Sequence, residues 1–167
     1  MSTTMPEPLT VAGLIDDEPR LWRGQSGEQV TGEQVAHHLE ATIAFLERVG
    51  WERVYSTGAE NELGDVDDSM TVKDMLRTLI GWIRTEDAPS PRNLPMALSH
   101  IANTDDGDSD TYSVGNRLCD VVVRARTNSP YANATAWASK LGRTWPEVRG
   151  LLVEAAGVAR TYGPAAR

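Results

Sequence analysis

The sequence predicts an all-α fold: a single compact domain of four to six helices, with a flexible N-terminal arm and room for one short strand pair near residues 51–56. Apolar residues recur at three- and four-residue spacing in several segments, which is the pattern of helices that bury one face. Capping boxes, in which Thr31 precedes Gln34 and Thr144 precedes Glu147, mark two helix starts. The 167 residues are 40% apolar and 24% charged, which is typical of one globular domain.

Three regions are predicted along the chain: a flexible acidic arm over residues 1–30, a helical domain over 31–162 and a tail over 163–167. The arm is interrupted by three prolines and three glycines, and such termini are loosely structured unless they are anchored. The apolar segment 9–15 is interpreted as a short strand or as a segment that docks on the domain, and Leu21 with Trp22 as a second anchor.

The first helix is predicted to run from Thr31 to Gly50, a glycine in the usual position after a helix C-terminus. A second helix is predicted to begin near Thr71, whose hydroxyl caps the first turn. The apolar stripe of this second helix is predicted to be buried, and it consists of Val72, Met75, Leu76, Leu79, Ile80 and Ile83.

The middle of the chain is predicted to contain a short helix over 96–101, because Pro95 is a typical first-turn proline. An acidic loop is predicted over 103–111, and Ser113 is predicted to cap the helix that follows. That helix contains three consecutive valines, which also favour strands.

Two more helices are predicted near the C-terminus. The first is a short helix within 134–141, which Gly142 ends. The second begins in the Thr144 capping box with Pro146 in its first turn, and it continues to Gly163.

The charge of the chain argues against several classes of partner. Its formal net charge is −8, and its lysines and arginines form no run, so direct binding to nucleic acid or to an anionic membrane is not expected. A single cysteine, Cys119, excludes an internal disulfide. No signal peptide and no apolar run of about 20 residues is visible, and a soluble cytoplasmic protein is therefore predicted.

The histidines do not form a recognisable metal motif. His37 and His38 precede Glu40 by three and two residues, but adjacent helical residues point about 100° apart and no second ligand pair is evident. They are interpreted as polar helix positions. His100 lies in another predicted helix, and a meeting of His38 with His100 in space is the one arrangement that would suggest a dispersed catalytic site.

The acidic residues Asp106, Asp108 and Asp110 have the spacing of a calcium loop. An EF-hand also requires glycine at the sixth position and glutamate at the twelfth, where this chain has Thr111 and Arg117. They are therefore interpreted as a solvated loop. Cys119 is predicted to be a buried apolar side chain, and no catalytic, cofactor-binding or metal-binding residue is assigned.

The five tryptophans are the most unusual part of the composition, since the chain has one phenylalanine. Tryptophan is enriched at binding hot spots because it combines a large apolar surface with one polar group. Trp51 and Trp137 are predicted to pack in the core. Trp22, in the arm, and Trp82, near the edge of the second helix's stripe, are the candidate partner-facing residues.

Two segments carry a family resemblance. The end of the first helix, Phe45–Trp51, and the start of the last, Gly142–Val148, with Trp137 just before it, are similar to those of an uncharacterised family of small helical proteins from actinobacteria and actinophages. The resemblance covers most of 31–159. It implies the boundaries of the fold and no activity.

These observations favour a non-enzymatic protein-interaction or regulatory accessory protein, bacterial or phage, whose partner is another protein. Two alternatives stay open at this point. One is a small hydrolase or transferase with a dispersed site that includes His38, His100 and nearby acids. The other is an acidic mimic of DNA that inhibits a basic host protein.

Overall fold

A computed structural model describes residues 7–54, 71–77 and 91–166. These residues confirm the all-α class and contain helical segments without any strand. The helices are α1 (Val11–Asp16), α2 (Gly32–Val49), α3 (72–77), α4 (Leu94–Ile101), α5 (Ser109–Thr127), α6 (Ala134–Ala138) and α7 (Trp145–Tyr162). In this part of the chain, no helix combines the length and the apolarity that crossing a membrane requires.

The core lies between the three long helices α2, α5 and α7, each of which packs against the other two. Helix α4 packs against α2 and α5, α6 packs against α4 and α5, and α1 packs against α5. The buried side chains that form this core include Val35, Leu39, Leu46, Val114, Leu118, Val122, Leu151, Leu152 and Ala155. Burial of each leucine stabilises the fold by roughly 1.5–3 kcal/mol.

The predicted caps of the first and last long helices are confirmed. The amide of Gln34 donates to the hydroxyl of Thr31 at 3.2 Å, and the amide of Thr31 donates to the side chain of Gln34 at 2.9 Å. The carboxylate of Glu147 accepts from the amide of Thr144 at 2.8 Å. Gly50 has a φ of 94°, a conformation that favours glycine, and it ends α2 as the sequence predicts.

The predicted start of α5 is wrong by one helical turn. Asp108, rather than Ser113, is the N-cap, and its carboxylate accepts from the amide of Thr111 at 2.7 Å. The predicted acidic loop therefore ends earlier, and Asp110 already lies in the helix. Aspartate and serine cap helices about equally well, so local chemistry alone did not distinguish the two positions.

Residues 7–30 contain more regular structure than the predicted arm. The segment interpreted as a strand or anchor, 9–15, contains most of α1. Leu21 is completely buried in the core, and Trp22 packs against the core half-buried. The amide of Val30 donates to the carbonyl of Trp22 at 2.9 Å, which closes a turn between them. The flexibility of the predicted arm stays a prediction.

The predicted strand pair near 51–56 is not formed by residues 51–54. Trp51 makes an isolated parallel bridge with Arg92, in which the amide of Arg92 donates to the carbonyl of Gly50 at 3.1 Å. Residues 55 and 56 lie outside the described part of the chain.

The start of α2 and the end of α7 meet through two glycines. A Cβ atom on Gly32 would lie 2.1 Å from the carbonyl oxygen of Ala159, and one on Gly163 would lie 2.3 Å from the Cα of Gly32. The amide of Gly32 donates to the carbonyl of Pro164 at 2.9 Å. Any larger residue at position 32 therefore forces α2 and α7 apart.

Replacing Gly32 with alanine tests this contact. Alanine has the higher intrinsic helix propensity, so a loss of stability would come from the steric clash and not from helix propensity. We expect Gly32→Ala to lower the free energy of unfolding by about 1–3 kcal/mol, as overpacking does elsewhere. The matched control is Gly157→Ala in α7, where a Cβ would meet nothing within 4 Å. This control is expected to raise the free energy of unfolding by about 0.5–1 kcal/mol. Urea unfolding followed by circular dichroism measures both, and equal stability of Gly32→Ala and wild type contradicts the contact.

Candidate functional site

His38 is the most buried polar side chain with catalytic potential in the described residues. It lies on α2 and is completely inaccessible to solvent. Its Nε2 atom is 3.0 Å from the carbonyl oxygen of Leu98 in α4, and its Nδ1 atom is 2.9 Å from the hydroxyl of Thr111 in α5. Because a carbonyl only accepts, Nε2 carries the hydrogen and Nδ1 is the acceptor of the neutral ring. The single hydrogen of the Thr111 hydroxyl is shared between Nδ1 and the carbonyl oxygen of Asp108, which is 3.0 Å from the hydroxyl oxygen. The neutral imidazole thus joins three helices.

The turn between α4 and α5 closes over this ring. A Cβ atom on Gly107 would lie 2.3 Å from Nδ1 of His38, so only glycine allows the backbone to approach this closely. Both ring nitrogens are therefore occupied and covered. A substrate has no route to either nitrogen without displacing the turn.

Burial lowers the pKa of His38 below its ordinary value. The hydrogen bond to Leu98 and the charge of Asp108 act in the opposite direction but have smaller effects. His38 is therefore uncharged at neutral pH, and its role is to satisfy hydrogen bonds inside the fold.

The other two histidines have different surroundings. The Nε2 atom of His37 is 3.0 Å from a carboxylate oxygen of Asp106 on the exposed surface. His100 stacks on Phe45 with 4.2 Å between ring centroids and 17° between ring planes. Since His38 bonds to Leu98 and Thr111, the three histidines form three separate contacts rather than one site.

The three aspartates with the spacing of a calcium loop each have a different contact. Asp106 pairs with His37, Asp108 caps α5, and Asp110 accepts from the amide of Ser26 at 2.9 Å. Hydrogen bonds from Ser26 lower the pKa of Asp110. Within 7–54, 71–77 and 91–166, no group of three or more histidine, cysteine, aspartate or glutamate side chains is placed to hold a metal ion.

Cys119 is completely buried in α5. Burial raises the pKa of its thiol to about 12, and the charge of Asp120 acts in the same direction. The thiolate, which is the nucleophilic form, is therefore a very small fraction at neutral pH.

The two candidate partner-facing tryptophans have different outcomes. Trp22 is half-buried and packs against the core, which leaves part of its ring accessible. Trp82 lies outside the described residues. Trp22 therefore lies where the N-terminal segment contacts the core, and the position of Trp82 is not described.

The prediction that the apolar stripe of the helix beginning near Thr71 is buried is wrong for the residues that the structure describes. Val72, Met75 and Leu76 were predicted to be buried, but they are 74%, 37% and 52% exposed. The other predicted members of the stripe, from Leu79 onward, lie outside the described residues. Spacing correctly predicted an amphipathic helix there, but spacing does not reveal whether another part of the chain covers the apolar side. We call Val72, Met75 and Leu76 the α3 apolar face.

A protein-family model matches most of the chain. The model of a protein family described as "Family of unknown function (DUF6197)" matches residues 30–158. No curated protein and no solved structure matches the chain. The matched region begins just before α2 and ends within α7, so it includes the three helices that form the core.

The depressed pKa of His38 predicts a specific pH dependence. The unfolded state, with an ordinary histidine pKa of about 6.5, binds the proton more readily than the folded state. Stability therefore falls as pH drops below about 6.5, by at most about 1.4 kcal/mol per pH unit until the lowered pKa is reached. Urea unfolding at pH 7.5 and 5.5 should show a smaller loss in His38→Gln than in wild type. His37→Gln is the control that keeps the wild-type loss, and an unchanged loss in His38→Gln refutes the assignment.

The buried thiol predicts low reactivity. At pH 8 a pKa of about 12 leaves Cys119 about a thousandfold less ionised than an ordinary cysteine, and the side chain is also inaccessible. Ellman's reagent should therefore label Cys119 slowly in the native protein and at once in urea. Rapid labelling of the native protein would show instead that the thiol is accessible and activated.

Proposed function

The chain belongs to the DUF6197 family, and we propose that it is a non-enzymatic interaction protein that binds another protein through the α3 apolar face. The proposed partner presents an apolar groove that receives one side of this helix. The exposure of the α3 apolar face is the observation that carries the proposal.

The spacing of the face suits this mode of binding. Positions 72, 75 and 76 are related as i, i+3 and i+4, so their side chains share one side of the helix. Helices that dock in a groove use anchors at these positions. Transfer of apolar surface from water to a groove is favourable by roughly 25 cal/mol per Å², which supplies a driving force for association.

The sequence continues the same spacing after residue 77. Leu79 and Trp82 follow Leu76 at successive intervals of three residues. Tryptophan contributes more than most residues to binding energy at interfaces. We therefore retain Trp82 as the proposed central anchor, with Trp22 as a second candidate contact in the N-terminal segment.

We also propose that the protein comes from an actinobacterium or a phage and acts in the cytoplasm. The resemblance of the helix ends supports an actinobacterial or phage source, and the single cysteine suits the reducing cytoplasm. The net charge of −8 disfavours nucleic acid and anionic membranes as direct partners. A regulatory or accessory role fits a small chain of this kind.

The two alternatives fit the contacts less well. An enzyme that used His38 would need access to a ring whose two nitrogens already have partners. A mimic of DNA needs rows of unneutralised carboxylates, whereas Glu33 and Glu40 both pair with Arg160. The interaction protein requires neither arrangement.

A photo-crosslinking amino acid at position 76 tests the proposed partner surface. In cells of the bacterium that encodes the protein, or in the infected host of a phage, irradiation should produce a heavier crosslinked species. The control places the same crosslinker at position 153, an apolar residue of α7 that is 47% exposed. Position 153 should give no such species, since isolated exposed apolar residues are common on protein surfaces.

A second substitution checks the specificity of the crosslink. Val72→Asp should abolish the product formed at position 76, because a charge in an apolar groove is costly unless it is paired. Val153→Asp should leave the product unchanged. Equal crosslinking from positions 76 and 153, or none from either, counts against the proposed surface.

A further inference from the structure

We propose that a pocket between the N-terminal segment and α5 binds a small organic anion that carries at least two phosphate or carboxylate groups. The pocket has a volume of about 840 Å³, and its walls include Arg20, Arg23, Ser113 and Arg117. This proposal is independent of the α3 apolar face.

The pocket is built by one side of α5 and by the turn over residues 19–27. Ser113 and Arg117 are four residues apart and so share a side of the helix. Arg117 holds the turn in place, because its guanidinium donates to the carbonyl of Arg20 at 3.1 Å and to the carbonyl of Arg23. It also donates from Nε to the carbonyl of Ser113 at 3.3 Å.

These contacts leave donors available for a ligand. A guanidinium has five N–H groups, and Arg117 uses three of them on backbone carbonyls, so two remain. Arg23 donates one N–H to the carbonyl of Gly27 at 3.2 Å, and the side chain of Arg20 is exposed. Arginine presents its donors in a planar fork that matches phosphate and carboxylate oxygens.

The charge of the pocket is unusual for this protein. In the described part of the chain, no carboxylate lies within ion-pair distance of Arg20, Arg23 or Arg117. Five arginines elsewhere in the described residues pair with acids, as Arg149 does with Glu47 at 2.8 Å. Three cations thus converge on one pocket in a chain with 24 acidic and 16 basic residues.

The carboxylate of Asp110 lies close to the turn, and its negative charge offsets part of the positive charge of the pocket. A Cβ atom on Gly24 would lie 2.2 Å from the Asp110 side chain, so this carboxylate packs directly on the turn. Its oxygens accept from the amide and the hydroxyl of Ser26. Asp110 therefore positions the turn through Ser26, and in the described residues it forms no ion pair with Arg20, Arg23 or Arg117.

The size of the pocket indicates the class of ligand. Small-molecule sites usually measure about 300–1,000 Å³, far more than a single phosphate occupies. Arg20 and Arg23 lie on the turn and Arg117 lies on α5, so donors approach from two sides. A molecule with two or more anionic groups uses both sides at once. Such a ligand stabilises the folded protein because it links the N-terminal segment to α5.

Isothermal titration calorimetry at low ionic strength tests the pocket, with sodium pyrophosphate and sodium citrate as separate probes. We expect saturable binding of at least one probe with a dissociation constant of about 1 mM or lower. Binding of pyrophosphate alone identifies phosphate groups as the preferred chemistry, and binding of citrate alone identifies carboxylates. Added potassium chloride should weaken either interaction by screening.

Two variants distinguish the pocket from general electrostatic attraction. Arg20→Gln should weaken binding about fivefold or more, since it removes a charge-assisted contact with the ligand and no contact within the turn. Arg149→Gln removes one positive charge far from these contacts and should bind like wild type. Arg23 and Arg117 are left intact because their guanidinium groups donate to backbone carbonyls of the turn. No saturable binding up to about 10 mM, or an equal loss in Arg149→Gln, overturns the proposal.

Discussion

Burial of the apolar stripes of α2, α5 and α7 against one another is the interaction on which the rest of the structure depends. Each helix contributes one apolar side, so none is stable in this form without the other two. The ends of α2 and α7 come close enough that Gly32 and Gly163 are in backbone contact. The same association packs α2 against α4 and α5, and this encloses His38 on the buried side of α2.

Short sequence motifs of four residues, such as capping boxes, were sufficient to predict the starts of two of the long helices. Thr31 with Gln34, and Thr144 with Glu147, define helix starts because both partners of each hydrogen bond lie within one turn. The start of α5 was not predictable in this way. Asp108 and Ser113 are both good caps, and Thr111 is fixed by His38, which lies 73 residues away. A choice that depends on a distant contact cannot be derived from local chemistry.

The surroundings of His38 were harder to predict than the helix starts, although its spacing on α2 gave one indication of burial. His38 lies three residues after Val35 and four before Thr42, which places it on the buried side of α2. That spacing favours a satisfied core histidine over a reactive one. The arginines of the pocket gave no comparable signal, because 94 residues separate Arg23 from Arg117 and only the docked turn brings them together. Burial of the α3 apolar face was wrongly predicted because periodicity describes a helix without describing its neighbours.

Several polar groups that the sequence offers as candidates for chemistry have structural contacts in this fold. His38, Asp108 and Asp110 each satisfy a hydrogen bond that positions a helix or a turn, so their loss would first affect folding. The side chain of Arg20 and the α3 apolar face have no comparable structural contact in the described residues. Selection for function can therefore act on these surfaces while the core is maintained by the three long helices.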